Sequence, residues 1–289
     1  MPLPAWKYPG AGGAGYPADA AAWDRWYAAP GYGWPAASPT VRAALNGLMP
    51  GRALDLGCGG GRHAVWLAGR GWHVEALDFS AEALANGLER ASAEGVTGRI
   101  TWAFADVTGY TPEPASLDLI LSAFVDLPAP DLEHVIDRTA PALAPGGIFL
   151  FIGQDPQDPH QGTTGPRDPS RLHGSTEVAA WARAAGLEIE SAGTLSRPLP
   201  GYRRPALDCV VLAHQPHRAA DVRSLNTRLS ARNTACRGGP GSGRHRRTRC
   251  PFPGPQRLIP APSFPPAHIP EAGPHAPSSD QHLVCFSRA

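Results

Sequence analysis

The residues of this 289-residue chain whose types and spacing most directly imply chemistry are Asp55-Leu56-Gly57-Cys58-Gly59-Gly60-Gly61. They follow a short apolar run, Ala53 to Leu56, and precede a helical pattern starting at Arg62. Glycines let a backbone turn tightly and let a ligand approach its amide groups, and a helix start behind them adds a positive dipole end. A turn of this kind cradles a nucleotide-like ligand. A dinucleotide fingerprint reads Gly-x-Gly-x-x-Gly, its third glycine packing helix on strand. Here the order is Gly57-x-Gly59-x-Gly61, with an acid two residues ahead, which disfavours a nicotinamide dehydrogenase.

Two more carboxylates extend the pattern. Asp78 lies 21 residues past Gly57, between the apolar run ending at Leu77 and the capping residue Ser80. A carboxylate at the end of a second strand can accept from both hydroxyls of a ribose. Asp106, in Phe104-Ala105-Asp106-Val107, ends the third strand. There it can accept from an adenine amino group while Val107 offers a backbone N–H. Asp55 can brace the turn or reach an amino group, and the glycine N–H groups can receive a carboxylate. A ligand with an amino-acid end, a ribose diol and an adenine matches this set, and S-adenosylmethionine (SAM) is that ligand.

The elements that must hold these residues alternate. Strands are expected over 53–56, 72–77, 100–104, 117–122 and 148–152. Helices are expected over 62–69, from Ser80 through an apolar face of Leu84, Leu88 and Ala91, and from Pro130 through Leu132, Val135, Ile136, Thr139 and Leu143. A helix through Val41, Leu45 and Leu48, capped by Ser38 or Thr40, precedes them. Such β-α alternation makes an α/β fold, a mostly parallel sheet with helices on both faces. After a polar loop comes a helix over 176–185. Leu187 to Glu190 alternates like an edge strand, while Cys209 to Leu212 is continuously apolar like an inner one. The last strand is therefore expected to insert between the fifth strand and the edge, in an antiparallel hairpin.

Composition bounds the rest. The net charge of +1 hides an asymmetry: from His217 onward eleven arginines face three acids, so the preceding part carries about −7. An acidic globular part is poorly suited to nucleic acid. The expected organisation is a flexible Gly/Pro/Ala-rich start (1–20), one catalytic-type domain (21–216) and a disordered Arg/Pro/Gly-rich tail (217–289). The five cysteines form no Cys-x-x-Cys and no disulfide ladder, and Cys236, His245, Cys250 and His282 lack zinc-ligand spacing, so no metal is expected. No secretion signal or membrane-length apolar run is present, and a cytoplasmic monomer is expected.

With these residues in place, the chain resembles the class I SAM-dependent methyltransferases from about residue 21 to 215. Within them it is most similar to small bacterial enzymes of the tellurite-resistance and thiopurine type. The stretches that carry the likeness are Arg52 to Arg62, Ala76 to Ser80, Leu117 to Leu121 and Leu143 to Gly147. The resemblance implies a Rossmann-like seven-stranded sheet with its last strand antiparallel. It implies that Gly57, Cys58, Gly59 and Gly61 meet the methionine end, Asp78 and Phe79 the ribose side, and Asp106 and Val107 the adenine. Trp23, Trp26 and Tyr27 resemble the N-terminal segment that closes over the cofactor. Two positions depart from the pattern. Many relatives carry an acid or amide where Gly60 stands, and often a histidine near Asp126.

Methyl transfer from a sulfonium is an in-line displacement with a neutral leaving group, so positioning can supply most of the rate. A base is needed only for a protonated amine or weakly acidic hydroxyl. The weak candidates are Asp126, Asp155 and His160, in segments after the carboxyl ends of strands four and five. His63 and His73 are expected to be structural. The acceptor is expected to be a small molecule methylated on O, N or S. A non-catalytic SAM-binding protein and a nucleic-acid methyltransferase are the alternatives. Against the latter, the place after the fourth strand reads Ser122 to Asp126, without the Asn/Asp-Pro-Pro-aromatic motif of base-amine enzymes or a Pro-Cys nucleophile.

Overall fold

Alternating apolar and mixed runs settle into a seven-stranded sheet in a computed structural model that describes residues 19–29, 35–160, 165–166, 168–199 and 202–217. The expected flexible start before residue 19 and the expected disordered tail beyond 217 lie outside these residues. Five strands run parallel: β1 (Arg52–Leu56), β2 (His73–Asp78), β3 (Ile100–Phe104), β4 (Leu117–Ala123) and β5 (Leu143–Gln154). The hairpin of β6 (Glu188–Arg197) and β7 (Ala206–His214) completes the sheet in the order β3-β2-β1-β4-β5-β7-β6. β7 pairs antiparallel with both β5 and β6, so the inserted last strand expected from its continuous apolar run is present.

Both faces of the sheet are covered, which is why β4 is apolar at nearly every position. Leu54, Leu56, Phe149 and Phe151 pack beneath α5 (Ala129–Thr139) and α6 (Ser175–Ala184). Ala53, Leu121, Leu150 and Ile152 face the opposite side, with α2 (Pro39–Ala44) and α3 (Arg62–Ala68). α4 (Ala81–Ala93) lies beside α3, and α1 (Ala20–Tyr27), capped by the Asp19 carboxylate, lies against α4. Among the described residues no helix is long and apolar enough to cross a membrane.

Four local expectations change. Leu88 is 52% exposed, because Trp102 of β3 fills the space beside Gly87: a Cβ on Gly87 would lie 2.5 Å from the indole. That close approach selects the small residues Ala83, Gly87 and Ala91, with Arg90, as the buried face of α4. Leu143 begins β5 rather than extending α5, since a short 3₁₀ turn over Ala140–Ala142 intervenes. α2 ends at Ala44, short of Leu48, and Ser38 makes no side-chain cap; Pro39 at the first turn and the turn at Gly47 set its limits. β6 runs to Arg197, well beyond Glu190, because its whole length pairs with β7.

Candidate active site

The glycine turn between β1 and α3 is pinned from beneath. Cys58 N–H donates to the Leu77 carbonyl at 2.9 Å, and Gly61 N–H to the Cys58 carbonyl at 3.0 Å. Gly57 and Gly59 adopt left-handed φ values of 59° and 54° that favour glycine. Their missing side chains also admit close neighbours. A Cβ on Gly57 would lie 2.9 Å from Val125, and one on Gly59 would overlap the Tyr27 hydroxyl.

Carboxylates surround the turn. Asp78 is buried at the end of β2; its Oδ2 accepts the Gly59 N–H at 2.8 Å and its Oδ1 the Ser80 N–H at 2.9 Å. Burial pushes its carboxyl above the usual range, against the opposing pull of these amides. Asp55 is 1% exposed, and its Oδ2 has no hydrogen-bond partner among the described residues. Desolvation raises it to about 7, with the Arg62 guanidinium pulling the other way. An orphaned buried oxygen beside an amide-rich turn fits a ligand ammonium group. Cys58 is buried, and desolvation, helped by the Asp55 and Asp78 charges, pushes its thiol well above the ordinary value, away from the thiolate form. Asp106 lies exposed after β3, where Oδ1 accepts from Thr108 N–H and Oγ at 2.8 Å each, beside the buried Val107. Phe79 is half-buried between Asp78 and Ser80.

α1 closes over this turn. Trp23 stacks on Tyr27 and meets Trp26 edge-on, with ring centroids 5.8 and 5.9 Å apart. Asp24 Oδ1 accepts the Ser80 hydroxyl at 2.6 Å, and Asn86 donates to the Tyr27 carbonyl at 3.0 Å. The three aromatic residues singled out in the sequence line a cleft of about 890 Å³, counted with its open mouth, together with the glycine turn.

The opposite wall comes from segments after β4 and β5. Phe124 adopts a φ of 61°, uncommon for a non-glycine residue, and is held by a 2.7 Å bond from its N–H to Ile152. Its ring meets the guanidinium groups of Arg62 and Arg197 at 5.1 and 5.8 Å. Arg197 is oriented by a two-point ion pair with Asp208, 2.7 and 3.0 Å, and Asp208 also accepts from Thr40 at 3.0 Å. Arg171 and His173 bond the Asp126 and Leu127 carbonyls at 2.7 and 2.9 Å, fixing the loop that carries Asp126 into the cleft wall.

Of the base candidates, only Asp126 lines the cleft. Asp155 is buried in bonds to Thr194 and Gln157, and the His160 ring meets the Arg204 carbonyl and the edge of Tyr202. Asp158, which the sequence reading passed over, does line the cleft, as do Gln154 and Arg197. Asp158 sits in the polar loop after β5 with no motif to mark it; its neighbours Asp155 and His160 look equally suitable until the loop is folded. His63 is buried, and desolvation keeps its ring well below the ordinary value, in keeping with a structural role; His73 is exposed.

Residues 53–147 match a family model described as a methyltransferase domain. Among curated relatives, the chain is 31% identical to 27-O-demethylrifamycin SV methyltransferase of Amycolatopsis mediterranei over 56% of its length and 63% of the relative's. It is 32% identical to a ubiquinone biosynthesis O-methyltransferase of Xylella fastidiosa, covering 52% and 64%. It is also 32% identical to ribosomal RNA small subunit methyltransferase C of Alcanivorax borkumensis, covering 36% and 32%. The chain thus spans less than two thirds of the length of each of these relatives. In three dimensions it is similar to a SAM-dependent methyltransferase from Methanosarcina mazei (TM-score 0.51, 16% identity, 63% of this chain and all of that one). A [4+2]-cyclase, SpnF, shares the fold to a similar degree (TM-score 0.52, 16% identity, 62% and 79%).

Proposed function

We propose, from the premise that this chain belongs to the class I SAM-dependent methyltransferases, that it transfers the methyl group of SAM to an O, N or S atom of a small molecule. The observation that carries this reading is the shared cleft: the glycine turn forms one wall, the segments after β4 and β5 the other, and α1 the roof. Ligands of open α/β sheets bind beyond the carboxyl ends of the strands, where this cleft lies. Gly57, Gly59 and Asp55 would hold the methionine end, Asp78 the ribose and Asp106 with Val107 the adenine. When bound, SAM supplies an electrophilic methyl group. The chain's own task is then to align the acceptor behind that methyl and keep water out. Trp23, Trp26 and Tyr27 would close the cleft, and Phe124 and Asp126 would border the acceptor.

A small-molecule acceptor is supported by the rifamycin and ubiquinone-biosynthesis methyltransferases to which the chain is similar. The charge of about −7 before His217 works against a polyphosphate acceptor. A closer kinship to the tellurite-resistance and thiopurine types rests on the sequence motifs alone. The second reading, SAM binding without methyl transfer, is kept by the [4+2]-cyclase neighbour, SpnF, since one fold can host more than one chemistry. Incubating the full chain with SAM and a panel of small phenols, amines and thiols tests the choice. Acceptor-dependent release of S-adenosylhomocysteine (SAH) is expected; SAM binding without such release would favour the second reading.

A further inference from the structure

Asp158 is a carboxylate in the cleft wall, 4% exposed, in the loop after β5. Its Oδ2 accepts from the Gln154 amide at 3.0 Å and its Oδ1 from the His160 backbone N–H at 2.8 Å. Both donors are neutral, and no cation forms an ion pair with it among the described residues. Removing a charge from water without a counter-ion is unfavourable, and two neutral hydrogen bonds offset this only in part. The other charged groups of the cleft do not fill the gap. Arg197 is taken by Asp208, Arg62 lies where its field acts on Asp55, and His63 is kept uncharged by burial. Asp126, a second carboxylate, lies on the same wall. On the proposed assignment the cofactor's ammonium would meet Asp55 on the glycine-turn side, which leaves Asp158 for the acceptor.

We infer that the acceptor carries an amine, admitted in its ammonium form, with Asp158 as its counter-ion and the main determinant of acceptor specificity; having no lone pair, the ammonium is the group recognised and not the atom methylated. The inference rests on reading the cleft as the methyl-transfer site. A carboxylate has acceptor positions beyond the two that Asp158 already uses, so an ammonium can join without displacing Gln154 or His160. The aromatic roof of Trp23 and Trp26 suits the same charge. On this wall an anionic acceptor would meet both Asp158 and Asp126, which disfavours it there against the pull of Arg62 and Arg197 elsewhere in the lining.

The test uses the full chain saturated with SAH and three probes of similar size titrated near neutral pH: benzylamine, benzyl alcohol and benzoate. Benzylamine is expected to bind saturably and at least tenfold more tightly than the other two. Asp158→Asn, which keeps the side chain's shape and an acceptor oxygen, is expected to retain SAH affinity and lose the amine preference. Benzoate or benzyl alcohol binding as tightly as benzylamine would overturn the inference. So would a preference that survives Asp158→Asn, or no saturable binding of any probe. If the variant itself fails to take SAH, the wild-type ordering decides alone. Failure of the wild type to take SAH would instead sink the methyl-transfer reading and this inference with it.

Discussion

Asp78 and Gly59 are joined by a 2.8 Å hydrogen bond in which the carboxylate at the end of β2 accepts the amide N–H of the glycine turn. The same carboxylate takes the Ser80 N–H at the start of α4. One side chain thus fixes the turn and the next helix start, and each of its oxygens keeps room for a further donor such as a ribose hydroxyl. Asp78→Ala is expected to weaken SAM binding at least tenfold, about 1.4 kcal/mol. Calorimetry showing unchanged affinity would remove Asp78 from the cofactor contacts.

Gly59 tests whether α1 is seated on the turn. An alanine there must adopt a left-handed φ of 54° and meet the Tyr27 hydroxyl. The backbone strain costs roughly 1–2 kcal/mol, and the contact should lift α1. Gly59→Ala is expected to lose stability and SAM affinity together, and adding Tyr27→Phe to recover part of the affinity. A double-mutant cycle with no coupling between the two positions would mean that Tyr27 does not rest on the turn.

Much of this architecture is legible in the sequence because it follows from local rules. Strand placement came from apolar runs, the inserted β7 from the contrast between a continuous and an alternating run, and the α4 cap from Ser80, whose hydroxyl accepts the Ala83 N–H at 3.1 Å. Asp55, Asp78 and Asp106, the acids proposed to meet the cofactor, stand at or just after strand ends, where spacing alone locates them. Periodicity alone places Leu88 on a buried face, but Trp102, which packs beside Gly87 and belongs to another element, turns that face toward Ala83, Gly87 and Ala91. The acceptor wall was the least legible part. Arg197, Asp208 and Thr40 meet across as many as 168 residues of sequence, and no local pattern announces such a meeting.

That network should be strongly coupled. Asp208 is 1% exposed and satisfied by Arg197 and Thr40. Arg197→Ala leaves a buried carboxylate without its cation and is expected to cost about 3–5 kcal/mol in urea unfolding. Adding Asp208→Ala should cost less than the sum of the two single changes. Strict additivity would show that the pair contributes no mutual stabilisation.

Asp55 gives stability an unusual pH dependence. Its carboxyl is raised from 3.8 to about 7 in the folded state, first by desolvation. Between those values the folded state holds a proton that the unfolded chain has released, so its contribution to stability falls as pH rises from about 4 to 7 and stays lost above. Asp55→Asn, which mimics the neutral form, should therefore gain on the wild type as pH rises from 5 to 8. A stability difference that stays constant across that range would mean that Asp55 is ionised throughout.

The most direct test of the account is to supply methyl-labelled SAM to the full chain with a panel of small amines, phenols and thiols, measuring SAH and labelled product together. The account predicts acceptor-dependent, equimolar formation of both, reduced in Asp78→Ala at subsaturating SAM. Saturable SAM binding with no acceptor-dependent SAH from any class would contradict it, leaving a protein that holds the cofactor without transferring its methyl group.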